Sequence, residues 1–176
     1  MLKKTLCIVI SALILLSLIS CAEVSRKISD GYRDDVTSEE AVNRIIQAVP
    51  SSDGYKTVDS DYISRMNFGN RFGELADSLA DWCVVTSARP ETNADTIGVF
   101  HVKNPDSISL ATDVITEYVN AQKLRMSTVF SSYAPAEMPK IDNAEITQCG
   151  NYILFTFLEE SREEIAEDCF EELIEK

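Results

Sequence analysis

The chain alternates between short runs of β-forming residues and stretches in which apolar residues recur every three or four positions. The clearest run spans Thr96 to Lys103 and holds four β-forming residues within six positions, which predicts a strand. Gly98 lies inside this run and indicates a bulge or a close approach of another part of the chain. We expect this strand to be central to the fold.

One long helix is predicted directly after this strand. Asn104 is suited to cap it, Pro105 fits the first helical position, and the carboxylate of Asp106 lies near the positive end of the helix dipole. Apolar residues then recur with a 3.6-residue period as far as Ser131. A helix of this length extends for about 40 Å, so we expect it to bend or to overhang the sheet.

The rest of the chain predicts a second pair of strands and several shorter helices. The elements are a capped helix from Thr37 to Pro50, a helix over 71–80, strands over 81–87, 144–149 and 151–158, and a last helix with a capping box at Ser161 and Glu164. Signals between 51 and 70 are mixed, although 55–58 has the composition of a short strand. The strand 151–158 is apolar on both faces, which predicts a central position. The outer faces of the last helix are nearly all Glu and Asp, which predicts a solvated surface.

This order of elements predicts one α+β domain over residues 37–176. Its sheet is antiparallel, with about four strands, and the long helix and the shorter helices pack on it. Residues 21–36 are polar, charged and without apolar periodicity, which predicts a flexible tether.

The amino terminus has the pattern of an export signal. Lys3 and Lys4 precede an uncharged apolar segment, Leu6 to Ile19, that is too short to span a bilayer. The sequence Leu18-Ile19-Ser20-Cys21 that follows resembles the lipobox of bacterial lipoproteins. The resemblance implies cleavage between Ser20 and Cys21, removal of residues 1–20, and a diacylglyceryl and palmitoyl anchor on Cys21. Two or more acyl chains would hold the protein on the outer face of the cell membrane.

Charge narrows the range of partners. The chain has 16 basic and 29 acidic residues, a formal net charge of −13, and loss of Lys3 and Lys4 with the signal makes the remainder more acidic still. Such a balance argues against nucleic acid and against electrostatic adhesion to anionic lipids. The expected partners are the membrane, through the lipid on Cys21, and a protein or wall component of the cell envelope.

Four groups of residues in the central part of the chain form a recognisable set: Ile97-Gly98-Val99-Phe100, Gln122, Tyr133-x-Pro135-x-Glu137, and Lys140-Ile141-x-Asn143-Ala144-x-Ile146 with Gly150-Asn151-Tyr152. This set resembles the family of exported Gram-positive lipoproteins known as domain of unknown function number 4358. The resemblance covers about 72–158. It supports the lipoprotein interpretation and implies no known reaction, ligand or catalytic residue.

No motif in the sequence points to a catalytic residue, a metal or another cofactor. His101 is the only histidine and lies in the predicted strand, where a structural role is the usual one. Cys83, Cys149 and Cys169 lack the spacing of a zinc site or a redox motif, and at most one disulfide can form among them. Neither a phosphate-binding glycine loop nor a serine nucleophile elbow occurs.

Two functions remain open at this point. The first is a membrane-anchored, non-catalytic binding or accessory module of the cell envelope. The second is an extracytoplasmic hydrolase of cell-wall material that uses two carboxylates, such as Asp95 and Glu117. A pair of carboxylates in a concave pocket would favour the hydrolase, and an exposed apolar patch without such a pair would favour the binding module.

Overall fold

The computed structural model describes residues 25–27, 31–59 and 71–176. Six strands are present in these ranges: β1 Ser25–Lys27, β2 Tyr55–Thr57, β3 Leu79–Ser87, β4 Thr96–Val102, β5 Ile146–Cys149 and β6 Tyr152–Phe157. The helices are α1 Ser38–Ala48, α2 Phe72–Ser78, α3 Ile108–Tyr133, α4 Met138–Asp142 and α5 Glu160–Ile174, with 3-10 turns at Pro105–Ser107 and Pro135–Glu137. The predicted cleavage and lipidation positions, Ser20 and Cys21, lie outside the described residues.

All six strands form one sheet in the order β1-β5-β6-β4-β3-β2. Every neighbouring pair is antiparallel except β1 and β5, which are parallel. The predicted α+β class is confirmed, with two strands more than the four or so that were predicted. β2 falls in the stretch 55–58, which has the composition of a short strand, and β1 lies in the segment predicted to be a tether. Strands of three residues are too short to show a clear alternation of apolar and polar positions.

Helices cover both faces of the sheet, so the domain has two hydrophobic cores. On one face α2 and α3 pack on side chains that include Phe100 and Phe155. On the other face α1 and α5 pack on side chains that include Val99 and Leu154. The central strands β4 and β6 contribute to both cores, as predicted for 151–158.

Gly98 of β4 allows the closest contact within the first core. Gly98 and Phe155 are direct partners in the register of β4 and β6. A Cβ at Gly98 would lie 2.1 Å from Cε1 of Phe155, so the ring occupies the space of the missing side chain. The close approach predicted for Gly98 is confirmed.

The second half of α3 leaves the sheet, as its length predicted. Most of the buried side chains of α3 lie in its first half, whereas in the second half Leu124 is 75% exposed and Tyr133 is 82% exposed. The end of the helix is held by a small separate cluster of Phe130, Ala94 and Ile141. Because this cluster lies beyond the main core, a space remains between the helix and the sheet.

The predicted cap at Thr37 is confirmed, since Thr37 accepts a hydrogen bond from the amide of Glu40 at 3.1 Å. Asn104 accepts one from the amide of Asp106 at 3.0 Å, but it caps the 3-10 turn that leads into α3 and not α3 itself, whose N-cap is Ser107. The capping box at Ser161 is wrong, because α5 begins earlier and has Glu159 at its N-cap without a side-chain bond. The short helix α4 follows the second 3-10 turn, and Pro139 is tolerated in its first turn.

The tether is shorter than predicted, because residues 31–36 pack on the domain. The amide of Arg33 donates to the carbonyl of Ile174 at 2.7 Å. The Tyr152 hydroxyl donates to the carbonyl of Val36 at 2.8 Å, and Val36 itself is buried. Further towards the amino terminus, Ser25–Lys27 is held by its pairing with β5. The folded domain therefore begins before Thr37.

Candidate functional site

A groove of about 500 Å³ lies between the second half of α3 and the β2 side of the sheet. Its floor contains residues from four neighbouring strands. Lys56 is paired with Thr86, Thr86 with Thr96, and Thr96 with Phe157, so these four side chains form a row across the sheet. The regular register of β2, β3, β4 and β6 thus fixes the shape of the floor.

The roof of the groove is the face of α3 from Tyr118, where the helix still packs on the sheet, to Phe130, near its end. It is lined by Tyr118, Gln122, Met126 and Phe130, which recur every four residues, and by Val129, three residues after Met126. All but Gln122 are apolar or aromatic. The roof therefore presents apolar surface with one buried amide at its centre, a composition typical of small-molecule sites.

The mouth of the groove carries more positive than negative charge. Lys56 and Arg125 are exposed there, and among the described residues of the lining Asp59 is the single carboxylate. The chain as a whole is strongly acidic, with a net charge of −13. The groove is therefore a local exception to the charge of the molecule and is better suited to an anion than to a cation.

A buried ion cluster lies at the end of the sheet next to the groove. The ammonium of Lys140 donates to Asp95 at 2.8 Å, to Glu137 at 2.8 Å and to Asn93 at 3.4 Å. The guanidinium of Arg162 donates to the second oxygen of Asp95 at 2.8 Å. Asn93 also lines the groove, so the cluster supports one of its walls.

Arg162 connects this cluster to the chain that follows α1. Its second terminal nitrogen donates to the Tyr55 hydroxyl at 2.9 Å and to the carbonyl of Val49 at 3.1 Å. This role of Arg162 was not among the predictions from the sequence. The available signal was that Arg162 is the only basic residue between Glu159 and Glu175 in an otherwise acidic helix.

The charges in the cluster stabilise one another. Burial alone would raise the pKa of Asp95, but hydrogen bonds from Lys140 and Arg162 outweigh it and hold the pKa below its usual value. Burial alone would lower the pKa of Lys140, but hydrogen bonds to Asp95 and Glu137 raise it above its usual value. Asp95 and Lys140 therefore both remain charged near neutral pH, and their cluster is a structural support.

Asp95 and Glu117, the two acids considered for a hydrolase, have separate surroundings. Asp95 is 1% exposed and is neutralised by two cations. The Glu117 side chain is 63% exposed and forms an ion pair with Arg71. No contact between described residues joins the two acids, and neither lines the groove.

His101 lies beside residues 31–36, which precede α1. Its Nε2 is 2.9 Å from the carboxylate of Asp34, and its ring stacks on Tyr152 at a centroid distance of 4.2 Å. Nδ1 is 3.6 Å from Asp81, whose other oxygen accepts a hydrogen bond from the amide of Ser38. The Ser38 hydroxyl is fully buried and forms no hydrogen bond with another described residue, so these side chains do not form a nucleophilic triad.

The acidic surface predicted on α5 is partly buried, which corrects the prediction of a solvated face. Glu163 is 5% exposed and accepts a hydrogen bond from the Thr156 hydroxyl, and Glu167 accepts one from Thr147. Burial raises the pKa of Glu163 to about 7, and the neighbouring charges of Glu145 and Glu167 add to this rise. Glu163 and Glu167 face the sheet because threonine hydroxyls of β5 and β6 donate hydrogen bonds to them there.

Cys83, Cys149 and Cys169 are free thiols, which answers the question of a disulfide for these three residues. Burial raises the pKa of Cys83 to about 11, so this thiol is a poor nucleophile. Across the described ranges, no three His, Cys, Asp or Glu side chains come together as a metal site would require. Within the same residues, no helix has the length and apolar content needed to cross a membrane.

Comparison with protein families agrees with the resemblance seen in the sequence. The model of the family described as "Domain of unknown function (DUF4358)" matches residues 55–158, more than half of the chain. The chain belongs to the DUF4358 family. The matched region begins at β2, earlier than the resemblance over about 72–158 indicated, and it contains every described residue that lines the groove. No curated protein and no solved structure matches the chain.

Proposed function

We propose that this DUF4358 protein is a membrane-anchored extracytoplasmic lipoprotein that acts as a non-catalytic binding module of the cell envelope. The groove under α3 is its binding site. The observation that supports this proposal most strongly is the lining of the groove, which combines an apolar roof with polar and charged groups at floor and mouth. The groove also falls wholly within the region that defines the family.

The ligand that fits this lining has an apolar body and one anionic group. The apolar body would contact Met126, Val129 and Phe130 of the roof. The anionic group would lie at the mouth, within reach of the flexible side chains of Lys56 and Arg125. This arrangement complements the local charge of the groove rather than the overall charge of the chain.

The contents of the groove favour binding over hydrolysis of wall sugars. A glycosidase of the usual kind needs two carboxyl groups on either side of the bond that it cleaves. The described lining contains only Asp59. The two acids that were considered for this role, Asp95 and Glu117, are engaged by Lys140, Arg162 and Arg71.

The binding proposal can be tested with 8-anilinonaphthalene-1-sulfonate, a fluorescent probe that combines apolar rings with an anion. A soluble Cys21→Ser form of the mature chain should bind the probe, and dodecanoate should displace it. Dodecyltrimethylammonium has the same chain with a cationic head and should compete at least about tenfold more weakly, a difference of about 1.4 kcal/mol. Equal competition by the two amphiphiles would contradict the proposed anionic preference.

A pair of variants on α3 locates the site. Val129 lines the groove, whereas Leu124 lies on the same helix, is 75% exposed and is not part of the lining. Val129→Asp should weaken probe binding at least about tenfold, because it places a charge in an apolar lining. Leu124→Asp should leave binding unchanged. If both variants bind as the original chain does, the groove is not the site.

Anchoring is tested separately. Cys21→Ala should convert a protein of the membrane fraction into an unprocessed or released form, because the lipid can no longer be attached. Metabolic labelling with a palmitate analogue should mark the original protein and not the variant. Absence of label on the original protein would contradict the lipoprotein assignment and would leave the groove experiment unaffected.

A further inference from the structure

We infer that the end of α3 that carries Val129 and Tyr133 rests on the bilayer surface, so that the groove opens beside the membrane and takes amphiphilic ligands from it. This inference rests on the proposed anchor at Cys21. It adds to the proposed function an orientation of the domain and a source of the ligand. Three observations support it: the length of the link to the anchor, the direction of β1, and the exposed side chains of α3.

The link between the anchor and the sheet is short. β1 begins at Ser25, which is paired with Thr147 of β5. Ser25 is four positions after Cys21 in the sequence. Even fully extended, four residues span no more than about 14 Å. A lipid on Cys21 would therefore hold this side of the domain close to the membrane surface.

The direction of β1 selects which end of the sheet is near the anchor. β1 is parallel to β5, and β5 and β4 are both antiparallel to β6, so β1 and β4 run the same way. The chain therefore enters β1 from the end of the sheet at which β4 begins. This end carries Ala94 and the buried ion cluster.

The same end of the sheet carries the end of α3. Phe130, near the last turn of α3, packs on Ala94, directly before β4. The helix therefore runs antiparallel to β4 and finishes at the end from which the chain enters β1. A membrane near the anchor is also near the last turns of α3.

Exposed apolar side chains are concentrated in this half of α3. Of the five exposed large apolar residues among those described, Leu124, Val129 and Tyr133 lie here. Val129 and Tyr133 are four positions apart and share one face of the helix, with exposed fractions of 44% and 82%. Arg125 is four positions before Val129 on the same face. Tyrosine and arginine beside an apolar residue suit the interface between headgroups and acyl chains.

Several residues that carry the family resemblance have structural roles within the domain, but Tyr133 does not. Glu137 and Lys140 are held in the buried ion cluster, and Gln122 is buried in the roof of the groove. Tyr133, by contrast, is 82% exposed. A contact with the bilayer would give this aromatic ring an environment that the domain itself does not provide.

The acidic surface of the molecule does not oppose this orientation. α5, which carries the densest run of acids, packs on the opposite face of the sheet from α3. The contact would form by insertion of the Val129 and Tyr133 side chains into the bilayer. A net charge of −13 on the whole chain does not oppose this insertion at the point of contact. Charge repulsion would instead keep the α5 face away from anionic headgroups.

Fluorescence quenching by brominated lipids tests the orientation. Tyr133→Trp and Leu110→Trp are each made in a Trp82→Phe background, so that each protein has one tryptophan. Leu110 is also exposed on α3 but lies near its other end, which makes it a matched control. The mature lipoproteins are reconstituted in vesicles of phosphatidylcholine and phosphatidylglycerol with bromine on the acyl chains. Tryptophan at position 133 should be quenched at least about twofold more than tryptophan at 110.

A longer tether provides the second measurement. Insertion of ten Gly and Ser residues between Val24 and Ser25 should reduce quenching at position 133 towards that at position 110, since the anchor no longer holds α3 at the surface. Equal quenching at the two positions in proteins that co-sediment with the vesicles would overturn the orientation and leave the anchor intact. Failure of the original lipoprotein to co-sediment would overturn the anchor, and this inference with it. Circular dichroism of each variant reports whether it is folded.

Discussion

At Gly98 a hydrogen atom lies where any other residue would place a Cβ, and the ring of Phe155 fills the space. Phe155 in turn contacts Tyr118 of α3 with its ring edge at a centroid distance of 5.5 Å. The absence of one side chain on β4 thus determines how closely α3 approaches the sheet. Because Tyr118 also lines the groove, the contact reaches the candidate site.

Gly98→Ala should destabilise the domain by about 1 to 3 kcal/mol, and by more if the ring cannot move, because the new methyl group overlaps Phe155. Urea unfolding followed by circular dichroism measures the loss. The Gly98→Ala, Phe155→Leu double variant should recover part of it, since leucine leaves room for the methyl group. If the double variant is less stable than the sum of the two single effects predicts, the overlap with the ring is not the cause.

The titration of Glu163 should make the stability of the domain depend on pH. In the folded protein its pKa is about 7, against an ordinary value of 4.5 in the unfolded chain. The folded protein therefore holds the proton more strongly, and stability should fall as the pH rises from about 4.5 to 7 and then level off. At 1.36 kcal/mol for each unit, the loss is on the order of 3 kcal/mol.

Glu163→Gln should remove this loss, because the amide stays neutral and can still accept the Thr156 hydroxyl. Urea midpoints at pH 5 and pH 7.5 provide the measurement. Glu164→Gln, at the exposed neighbouring position, serves as the control and should retain the full pH dependence. A flat profile in the original protein would show that Glu163 is not held in a buried, protonated form.

At the scale of elements, the buried ion cluster joins parts of the chain that are far apart in sequence. Asp95 before β4, Lys140 of α4 and Arg162 of α5 meet in it. The cluster holds the loop before β4 against α4, which follows α3, and so supports the end of the groove. Its members stabilise one another, and leaving any of them without a partner would lower the free energy of unfolding.

Lys140→Met should destabilise the domain by about 3 to 5 kcal/mol, because Asp95 and Glu137 lose their shared cation while one of them remains fully buried. Thermal unfolding compared with Lys123→Met provides the measurement. Lys123 donates only to the carbonyl of Asp142 at the surface, so this control should lose less than about 1 kcal/mol. Equal losses in both variants would show that the cluster contributes little.

Elements with a strong local pattern were predictable from the sequence, and contacts between distant segments were not. The strand at Thr96, the long helix and the hairpin at Gly150 each follow from periodicity and turn residues within a short stretch. β1 and β2 are too short for periodicity to show. The groove depends on where α3 separates from the sheet, and the ion cluster depends on the position of Arg162 relative to Asp95. Neither can be read from spacing along the chain.

At the scale of the whole molecule, residues 31–36 are part of the folded domain. Gly31 and Arg33 exchange backbone hydrogen bonds with the last residues of the chain, and Val36 bonds to Tyr152 through both its amide and its carbonyl. Asp34 adds the contact with His101. Residues 31–36 thus close one side of the core on the α1 and α5 face.

A protein that begins at residue 37 should therefore be less stable than one that begins at residue 31 by about 2 to 4 kcal/mol, the combined effect of one buried valine and several hydrogen bonds. Urea unfolding of the two proteins gives the difference. His101→Gln in the longer protein should lose only about 1 to 2 kcal/mol, since it removes the stacking on Tyr152 and the contacts with Asp34 and Asp81 but leaves the segment docked. Equal stability of the two truncated proteins would mean that the segment is not docked in solution.

The two cores of the sheet differ in where their residues come from, and this has a practical consequence for the family. The core on the α3 face is built entirely within the matched region, 55–158, whereas the core on the other face depends on α1 and α5, which lie outside it. A fragment cut at the family boundaries would leave Val85, Val99 and Leu154 on an uncovered face of the sheet. Such a surface promotes aggregation. Recombinant work on this family should therefore retain both flanking helices, since a fragment trimmed to the matched region would precipitate for reasons unrelated to its ligand.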